Sequence, residues 1–415
     1  MPSTAAPVAS LSAPRAVRMS PGLVVVMLAL LLGIQPITSD LYLPTLPAIA
    51  ADFSATPSQT RLTLTALLLS FGFSQLIWGP LSDRFGRRPV LLIGLGAYLL
   101  AAVGSAFAPS MTLLVLWRTL QGAAMGASVM CARAIVRDLY QPLEGARVMS
   151  RAFTGLGVIA CVCAPLGGLL ADLMHWRAAL AALAVFGAAA LVLVVWRYVE
   201  TVPCRNPRAL APRVLFGTWR GIVANRTFLA FTALSSATYC GLFTLLAASS
   251  FVFVGEGGMS RTGYGLLMMT TAMAYIAGTF VCRRLVPRLG VRRTVAVAGA
   301  LSLAGGGGLA LLVSLGVRES WALVAPVWVF MVAHGIHQPC STSGAVGPFP
   351  QSAGAASALN GFLQMVTAFC TGQWLGLLPD SALFALASGM AFWGAVTALV
   401  AWTLVARHGD ARTAS

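Results

Sequence analysis

Apolar runs of about twenty residues recur along the chain, separated by short polar segments, and a run of that length crosses the hydrocarbon core of a bilayer as a helix. Six such spans are predicted at about 22–46, 61–78, 90–107, 111–132, 152–173 and 176–196. The pattern then breaks. Residues 197–226 hold six arginines and three prolines but no apolar run of spanning length, which marks a linker. Six more spans follow at about 228–254, 264–281, 294–315, 321–343, 353–377 and 381–406. The expected fold is an all-α polytopic membrane protein: an N-terminal six-helix bundle (21–196), a linker (197–226) and a C-terminal six-helix bundle (227–406). Polar tails (1–20 and 407–415) flank the two bundles.

Composition agrees, since 58% of residues are hydrophobic and only 9% charged, against about 25% charged in soluble domains. All 27 basic residues are arginine, and the formal charge is +16. In a soluble chain that charge would suggest nucleic acid. Here the arginines sit between spans: alternate assignment puts 22 in one set of loops and tails and four in the other, with Arg118 inside a span. That bias places both termini in the cytoplasm and makes the charge a topology signal rather than a nucleic-acid surface. Arg61, Arg177, Arg261 and Arg318 fall in the expected periplasmic loops. The start of the chain imitates a signal peptide, with Arg15 and Arg18 before an apolar run and Ala48-Ile49-Ala50, but the run is too long, and its removal would leave an odd number of spans. Eight cysteines lie singly, mostly inside spans, so no disulfide, metal site or cofactor is expected.

One polar segment stands apart. Gly79-Pro80-Leu81-Ser82-Asp83-Arg84-Phe85-Gly86-Arg87-Arg88-Pro89 joins spans 2 and 3, and Asp83 is an acid within a basic turn, which needs a fixed partner. A degenerate copy, Arg283 to Arg293, joins spans 8 and 9; offset by 204 residues, it lays Arg288, Gly290 and Arg292 on Arg84, Gly86 and Arg88. Such repetition at half the chain length is what duplicated transporter halves leave. The segment resembles the signature loop G-x-L-x-D-R-x-G-R-R of the major facilitator superfamily, matching at Gly79, Leu81, Asp83, Arg84, Gly86, Arg87 and Arg88. The resemblance implies a cytoplasmic gate, in which Asp83 is expected to cap the N-terminus of span 11 near Gly354 and to pair with Arg84 or Arg87. Asp138, in the next basic loop, is expected to share those arginines.

Charges inside a span are expensive and mark pathways or proton relays. Two lie deep here, Asp40 in span 1, flanked by Pro36 and Pro44, and Arg118 in span 4. Asp40 is a candidate proton carrier. Arg118-Thr119-Leu120-Gln121-Gly122 resembles the superfamily motif R-x-x-Q-G, which implies that Arg118 acts electrostatically, tuning a nearby acid through the cavity. Ala164-Pro165-Leu166-Gly167-Gly168 resembles the antiporter motif G-P-x-x-G-G, with Ala164 for the first glycine and a spacer shorter by one; Pro165, Gly167 and Gly168 carry the likeness. Ser39 to Pro44, Val136 to Leu139 and Pro348 to Leu359 are similar to the Bcr/CflA group of bacterial drug exporters. That resemblance implies proton-driven antiport of drug-like compounds across the inner membrane.

Further polar or aromatic faces suggest a substrate cavity formed by Gln35, Tyr42, Gln121, Tyr239, Phe243, His334, His337, Asn360 and Gln364, because lipid would penalise such stripes. The expected partners are a small drug-like molecule, protons and the lipid bilayer, with one chain sufficing for function. Enzymatic readings find no support: the chain lacks lysine, H-E-x-x-H and a phosphate-cradling loop, and its longest loop is too short for a nucleotide-binding domain. A same-fold transporter of an amino acid or sugar, exporter or importer, remains the alternative.

Overall fold

The computed structural model describes residues 19–140, 142–202, 207, 209–378 and 381–409. Residues 1–18 and 410–415 of the tails, residues 203–206 and 208 of the linker, and Asp380 lie outside the described residues. Within them every regular element is helical.

The first span is broken. α1 (Pro21–Asp40) starts at an N-cap, where the Ser20 hydroxyl accepts from Leu23 N–H, and passes through Pro36 without interruption. It stops at Asp40; a 3₁₀ turn (Leu43–Thr45) holding Pro44 follows, and α2 (Leu46–Asp52) completes the crossing. The predicted end at residue 46 is therefore replaced by a break in mid-span and an exit at Asp52. α3 (Pro57–Phe85) opens on a capping box formed by Thr56 and Gln59. α4 (Arg87–Ala106), α5 (Met111–Leu139), α6 (Pro142–Leu173) and α7 (Trp176–Arg197) complete the first bundle. The loop expected over 133–151 is mostly helix, because α5 extends to Leu139 and α6 begins at Pro142. The linker carries a short amphipathic helix, α8 (Pro212–Val223), which the apolar-run pattern had not separated from its surroundings.

The second bundle comprises α9 (Arg226–Ser250) with a π-helical extension (Phe251–Glu256), α10 (Arg261–Ser314), α11 (Ser320–Val346), α12 (Ala353–Gly376) and α13 (Ala382–Val400), which continues through a π turn (Ala401–Val405) into α14 (Ala406–His408). Among the described residues ten helices are long and apolar enough to cross a membrane. One of them, the 54-residue α10, is broken at Gly290 and supplies two crossings, the predicted spans 8 and 9. The twelfth is α12, whose polar stripe of Asn360, Gln364, Thr367 and Thr371 lowers its hydropathy; its threonines donate back to the carbonyls of Leu363 and Thr367. The architecture is the expected one: twelve membrane helices in two bundles of six.

Two seams join the bundles, α3 against α12 and α6 against the first limb of α10. They pair span 2 with 11 and span 5 with 8, so each is the counterpart of the other under exchange of the halves. The repeat is also visible in the backbone. Gly86 (φ 105°, ψ 160°) and Gly290 (φ 75°, ψ 168°) lie 204 residues apart and occupy the same region, which a Cβ disfavours. Each glycine turns the chain sharply between two helices that would otherwise fuse.

The two turns differ in their surroundings. A Cβ at Gly86 would press on the Glu200 carboxylate at 2.5 Å, whereas nothing lies within 4 Å of one at Gly290. Gly290→Ala is therefore expected to cost only the backbone strain, roughly 1–3 kcal/mol, and Gly86→Ala measurably more. Thermal unfolding of the two detergent-solubilised variants checks the order; equal losses would mean that Glu200 does not matter to the turn.

Candidate functional site

The break in α1 creates the site. A helix leaves its last carbonyls without partners, and in a bilayer no water reaches them. The Arg118 guanidinium, fully buried, meets this need: Nη2 donates to the Thr38 carbonyl at 2.9 Å and Nη1 to Gln121 Oε1 at 2.8 Å. Its flat face lies 4.3 Å from the centre of the Tyr42 ring, just beyond the break. The Tyr42 hydroxyl is paired with Thr63 Oγ1 (2.7 Å) and Tyr98 with the Thr38 hydroxyl (2.7 Å), so both sides of the break are held by side chains of the N-terminal bundle.

Asp40, at the last turn of α1, points the other way. Ser39 Oγ donates to its Oδ1 at 2.6 Å, and the carboxylate faces a cavity of about 240 Å³ between the bundles. Gln35 and Asp40 enter it from α1, Tyr239 and Leu242 from α9, Met268 and Tyr275 from α10, and His334 and Gln338 from α11. Among the described residues Asp40 is the one acidic or arginine side chain lining it. Arg118 is absent from these walls. The expectation that it tunes Asp40 through the cavity is corrected: its charge is spent behind α1, two residues before the acid.

Of the expected cavity residues, Gln35, Tyr239 and His334 line this space. Tyr42 and Gln121 instead form the Arg118 cluster. Phe243 is fully buried beside Gly372, and His337 is fully buried one turn beyond His334. Asn360 and Gln364 are buried away from this space: their face of α12 turns toward α9 of the same bundle, where Gln364 Nε2 reaches the Ser235 carbonyl at 3.4 Å, while α3 packs on the adjacent face with Gln75 against Gly361.

The antiporter-like segment lies against the same break. Pro165 sits within α6, a Cβ at Gly167 would strike the Leu41 carbonyl, and one at Gly168 would strike the Arg261 carbonyl. Glycine here permits α6 to touch the broken span on one side and α10 on the other. Polar ties close the same end of the molecule. Arg261 Nη1 donates to the Ala171 carbonyl (2.7 Å), Thr262 donates twice to Asp172, and Arg61 Nη1 donates to the Leu375 carbonyl (3.1 Å). Arg61, expected in a loop, is buried and lies 5.7 Å from the Phe251 ring of the other bundle.

At the opposite, arginine-rich end the signature loop forms an ion cluster. Arg87 is the hub: Nη1 meets Asp83 at 2.6 Å and Ser82 Oγ at 2.7 Å, and Nε meets Asp138 at 3.0 Å. Asp83 also reaches Arg137 at 3.6 Å, and Arg137 approaches Gly354. One expectation is corrected: Asp83 does not cap α12, because its carboxylate is held by Arg87 and Arg137. Of the two arginines expected to pair with it, Arg87 does so and is shared with Asp138, whereas Arg84 lies 5.3 Å from the Phe85 ring. Gly79 lines a second cavity, of about 520 Å³, walled by α3, α5, α8 and α12, with Asp83, Arg133 and Arg137 at its polar edge. Arg88 Nη2 donates to the Val195 carbonyl at 3.0 Å.

Sequence reasoning missed Glu200. Its carboxylate accepts from the backbone N–H of Arg87 and of Arg88, both at 3.0 Å, and so caps α4 where Gly86 offers no side chain. The signal was available, since Glu200 is a lone acid in an arginine-rich linker, as Asp83 is in its loop.

Residues 28–372 match the model of the Major Facilitator Superfamily. Multidrug resistance protein D of Escherichia coli K12 is 28% identical over 375 residues, 90% of this chain and 93% of that protein. A chloramphenicol resistance protein of Pseudomonas aeruginosa is 30% identical over 330 residues, 77% and 75% of the two chains. In fold, the xylose transporter XylE of E. coli, in a partially occluded inward-open conformation, matches with a TM-score of 0.73 at 13% identity, covering 93% of this chain and 98% of that one.

The Arg118 cluster generates a direct test. Arg118→Ala leaves the Thr38 carbonyl buried without a partner, a loss of about 1–3 kcal/mol, and frees Tyr42. The variant is expected to melt lower than the wild type in detergent, with Arg118→Lys intermediate because an ammonium cannot serve Thr38, Gln121 and the Tyr42 face together. An unchanged melting temperature for Arg118→Ala would remove this role. With its signature cluster, its paired seams and its matched length, the chain belongs to the major facilitator superfamily.

Proposed function

We propose that this protein is a proton-coupled exporter of small amphipathic, drug-like compounds in the bacterial inner membrane, with both termini in the cytoplasm. The observation that carries the reading is Asp40, an acid at a helix break facing a cavity that both bundles line. The distribution of arginines supports a cytoplasmic signature-loop end. The names of the relatives, multidrug resistance and chloramphenicol resistance, support the substrate class. Both bundles and the cavity belong to one chain, which supports a monomeric transporter.

The geometry suggests how the cycle runs. The bundles are tied at the periplasmic end by Arg61, Arg261 and the Gly168 contact, while a cavity remains at the cytoplasmic end. This arrangement corresponds to a state that receives substrate from the cytoplasm. Loss of a proton from Asp40 accompanies substrate entry. Rocking of the bundles breaks the periplasmic ties and brings the signature-loop cluster into its gating role. On the periplasmic side Asp40 takes a proton, and its neutralisation favours release and return. Arg118 contributes by position, fixing the break that aims Asp40 at the cavity.

Asp40→Asn keeps the shape and a hydrogen-bond acceptor but removes the exchangeable proton. In inverted membrane vesicles energised with a proton gradient, the variant is expected to lose uphill chloramphenicol transport. Exchange of labelled for unlabelled chloramphenicol, which moves no net proton, is expected to persist. Uphill transport at the wild-type rate and equal expression would exclude Asp40 as the carrier.

A further inference from the structure

Behind His334 lies a file of buried polar groups. His334 stands at the edge of the Asp40 cavity, on the facing bundle; its Nδ1 is 3.0 Å from Thr238 Oγ1 and its ring is tilted against Tyr275. His337 follows on the same helix, one turn nearer the signature-loop end. It is fully buried; its ring lies against the Ala298 backbone carbonyl, and neither nitrogen has a regular hydrogen bond. A neutral imidazole has one donor and one acceptor to satisfy; a carbonyl can serve only the donor, and an acceptor left unmet in a membrane interior is costly. Ordered water is the usual remedy for such groups.

The second limb of α10 supplies the rest of the file. It runs antiparallel to α11, and Gly305 backs onto Phe330. Stepping along both helices in opposite directions sets Ala298 level with His337 and Thr294 level with Ser341. Ser302, near the His334 level, has a buried hydroxyl with no partner. Ser341 and Thr294 are fully buried as well, and Thr294 Oγ1 donates to the carbonyl of Gly290, the turn between spans 8 and 9. Buried polar groups thus run from the cavity edge to the arginine-rich end along one seam, inside the C-terminal bundle and away from the interface that opens and closes. The titratable groups facing this file are Asp40 from α1, Tyr239 from α9, Tyr275 and Cys282 from α10, and Cys340 on α11.

We propose that this seam is a hydrated proton lane, with His334 and His337 as its relays, connecting the Asp40 cavity to the cytoplasm. The inference rests on the proton-coupled reading and assigns the route by which the proton leaves. The Asp40 carboxylic acid gives its proton, through cavity water, to the His334 imidazole, producing a carboxylate and an imidazolium. His334 returns to neutral by passing a proton through water to His337. His337 in turn releases one along the hydroxyls of Ser341 and Thr294 to water at the Gly290 turn. No electron moves, and each relay ends as it began. A lane separate from the substrate path lets the proton depart while the cavity fills.

The test uses the full chain in proteoliposomes, with chloramphenicol as the probe substrate and a trapped pH indicator. His337→Asn is expected to leave chloramphenicol exchange within about twofold of wild type and to slow chloramphenicol-driven proton movement by about tenfold or more. Thr294→Val, isosteric and remote from the cavity, should do the same. Added imidazole should restore proton movement in His337→Gly, an effect that a packing role would not produce. Proton movement within about twofold of wild type in both His337→Asn and Thr294→Val would overturn the lane and leave the coupling through Asp40 intact. Parallel loss of exchange and proton movement in both, without rescue, would overturn it in favour of a structural role. Absence of proton movement in the wild type would sink the proton-coupled reading and the lane together.

Discussion

The hydrogen bond from Arg118 to the Thr38 carbonyl is the contact on which the site depends. A bilayer tolerates a broken helix only where protein satisfies the freed backbone, and here a charged side chain of α5 does so for α1. Because the guanidinium is consumed behind the helix and its face rests on Tyr42, the positive charge stays out of the cavity. Asp40 is thereby left as the cavity's acid without an arginine beside it. One buried cation therefore sets both the shape of the broken span and the electrostatic character of the space in front of it.

The two ends of the molecule are held by different physics. At the end with few arginines the bundles meet through close backbone approach at Gly168 and arginine donors on carbonyls, which are neutral acceptors. At the other end Arg133 Nη1 donates to Ser357 Oγ across the bundles at 2.7 Å, and beside it an ionic cluster lies within the N-terminal bundle, with Asp83 41% exposed while Arg87, at 3%, is nearly buried. Exposed ion pairs are weak, whereas an arginine hub bonded to two carboxylates and a hydroxyl is geometrically fixed. The cluster thus keeps the signature loop rigid within its own bundle, and its outer members, Ser82 and the Asp83–Arg137 contact, border the cavity and the start of α12.

Much of this was legible in the sequence, and the reasons differ by element. Spans were readable because the bilayer imposes one length and one polarity on every crossing. The repeat was readable because Gly86 and Gly290 both need a conformation that glycine alone adopts easily, so the letter recurs with Arg84 and Arg88 matched by Arg288 and Arg292, while Asp83 and Arg87 give way to Pro287 and Val291. The break in α1 was half legible: Pro36 and Pro44 pointed to the region, but Pro36 is carried inside the helix, and the stop falls at Asp40, where Arg118 can reach. Tertiary partners decide that, and periodicity does not contain them. Arg61 and Glu200 show the same limit. Their positions near span ends suggested loops, whereas long side chains and a folded linker bring one across the bundle interface and the other onto the start of α4. The cavity set failed for Asn360 and Gln364 because a helical stripe tells which face is polar but not whether that face meets a cavity or a neighbouring helix; here it meets α9, where Gln364 finds the Ser235 carbonyl.

The central claim is that substrate and proton are exclusive partners of the cavity, with Asp40 as the group that changes state. Its most direct test needs no membrane gradient. Purified protein in weakly buffered detergent solution is mixed with chloramphenicol, and released protons are read with an indicator dye while bound drug is counted. The account predicts proton release in proportion to bound drug for the wild type and none for Asp40→Asn, which still binds. Release of the same size from a drug-binding Asp40→Asn variant would contradict it.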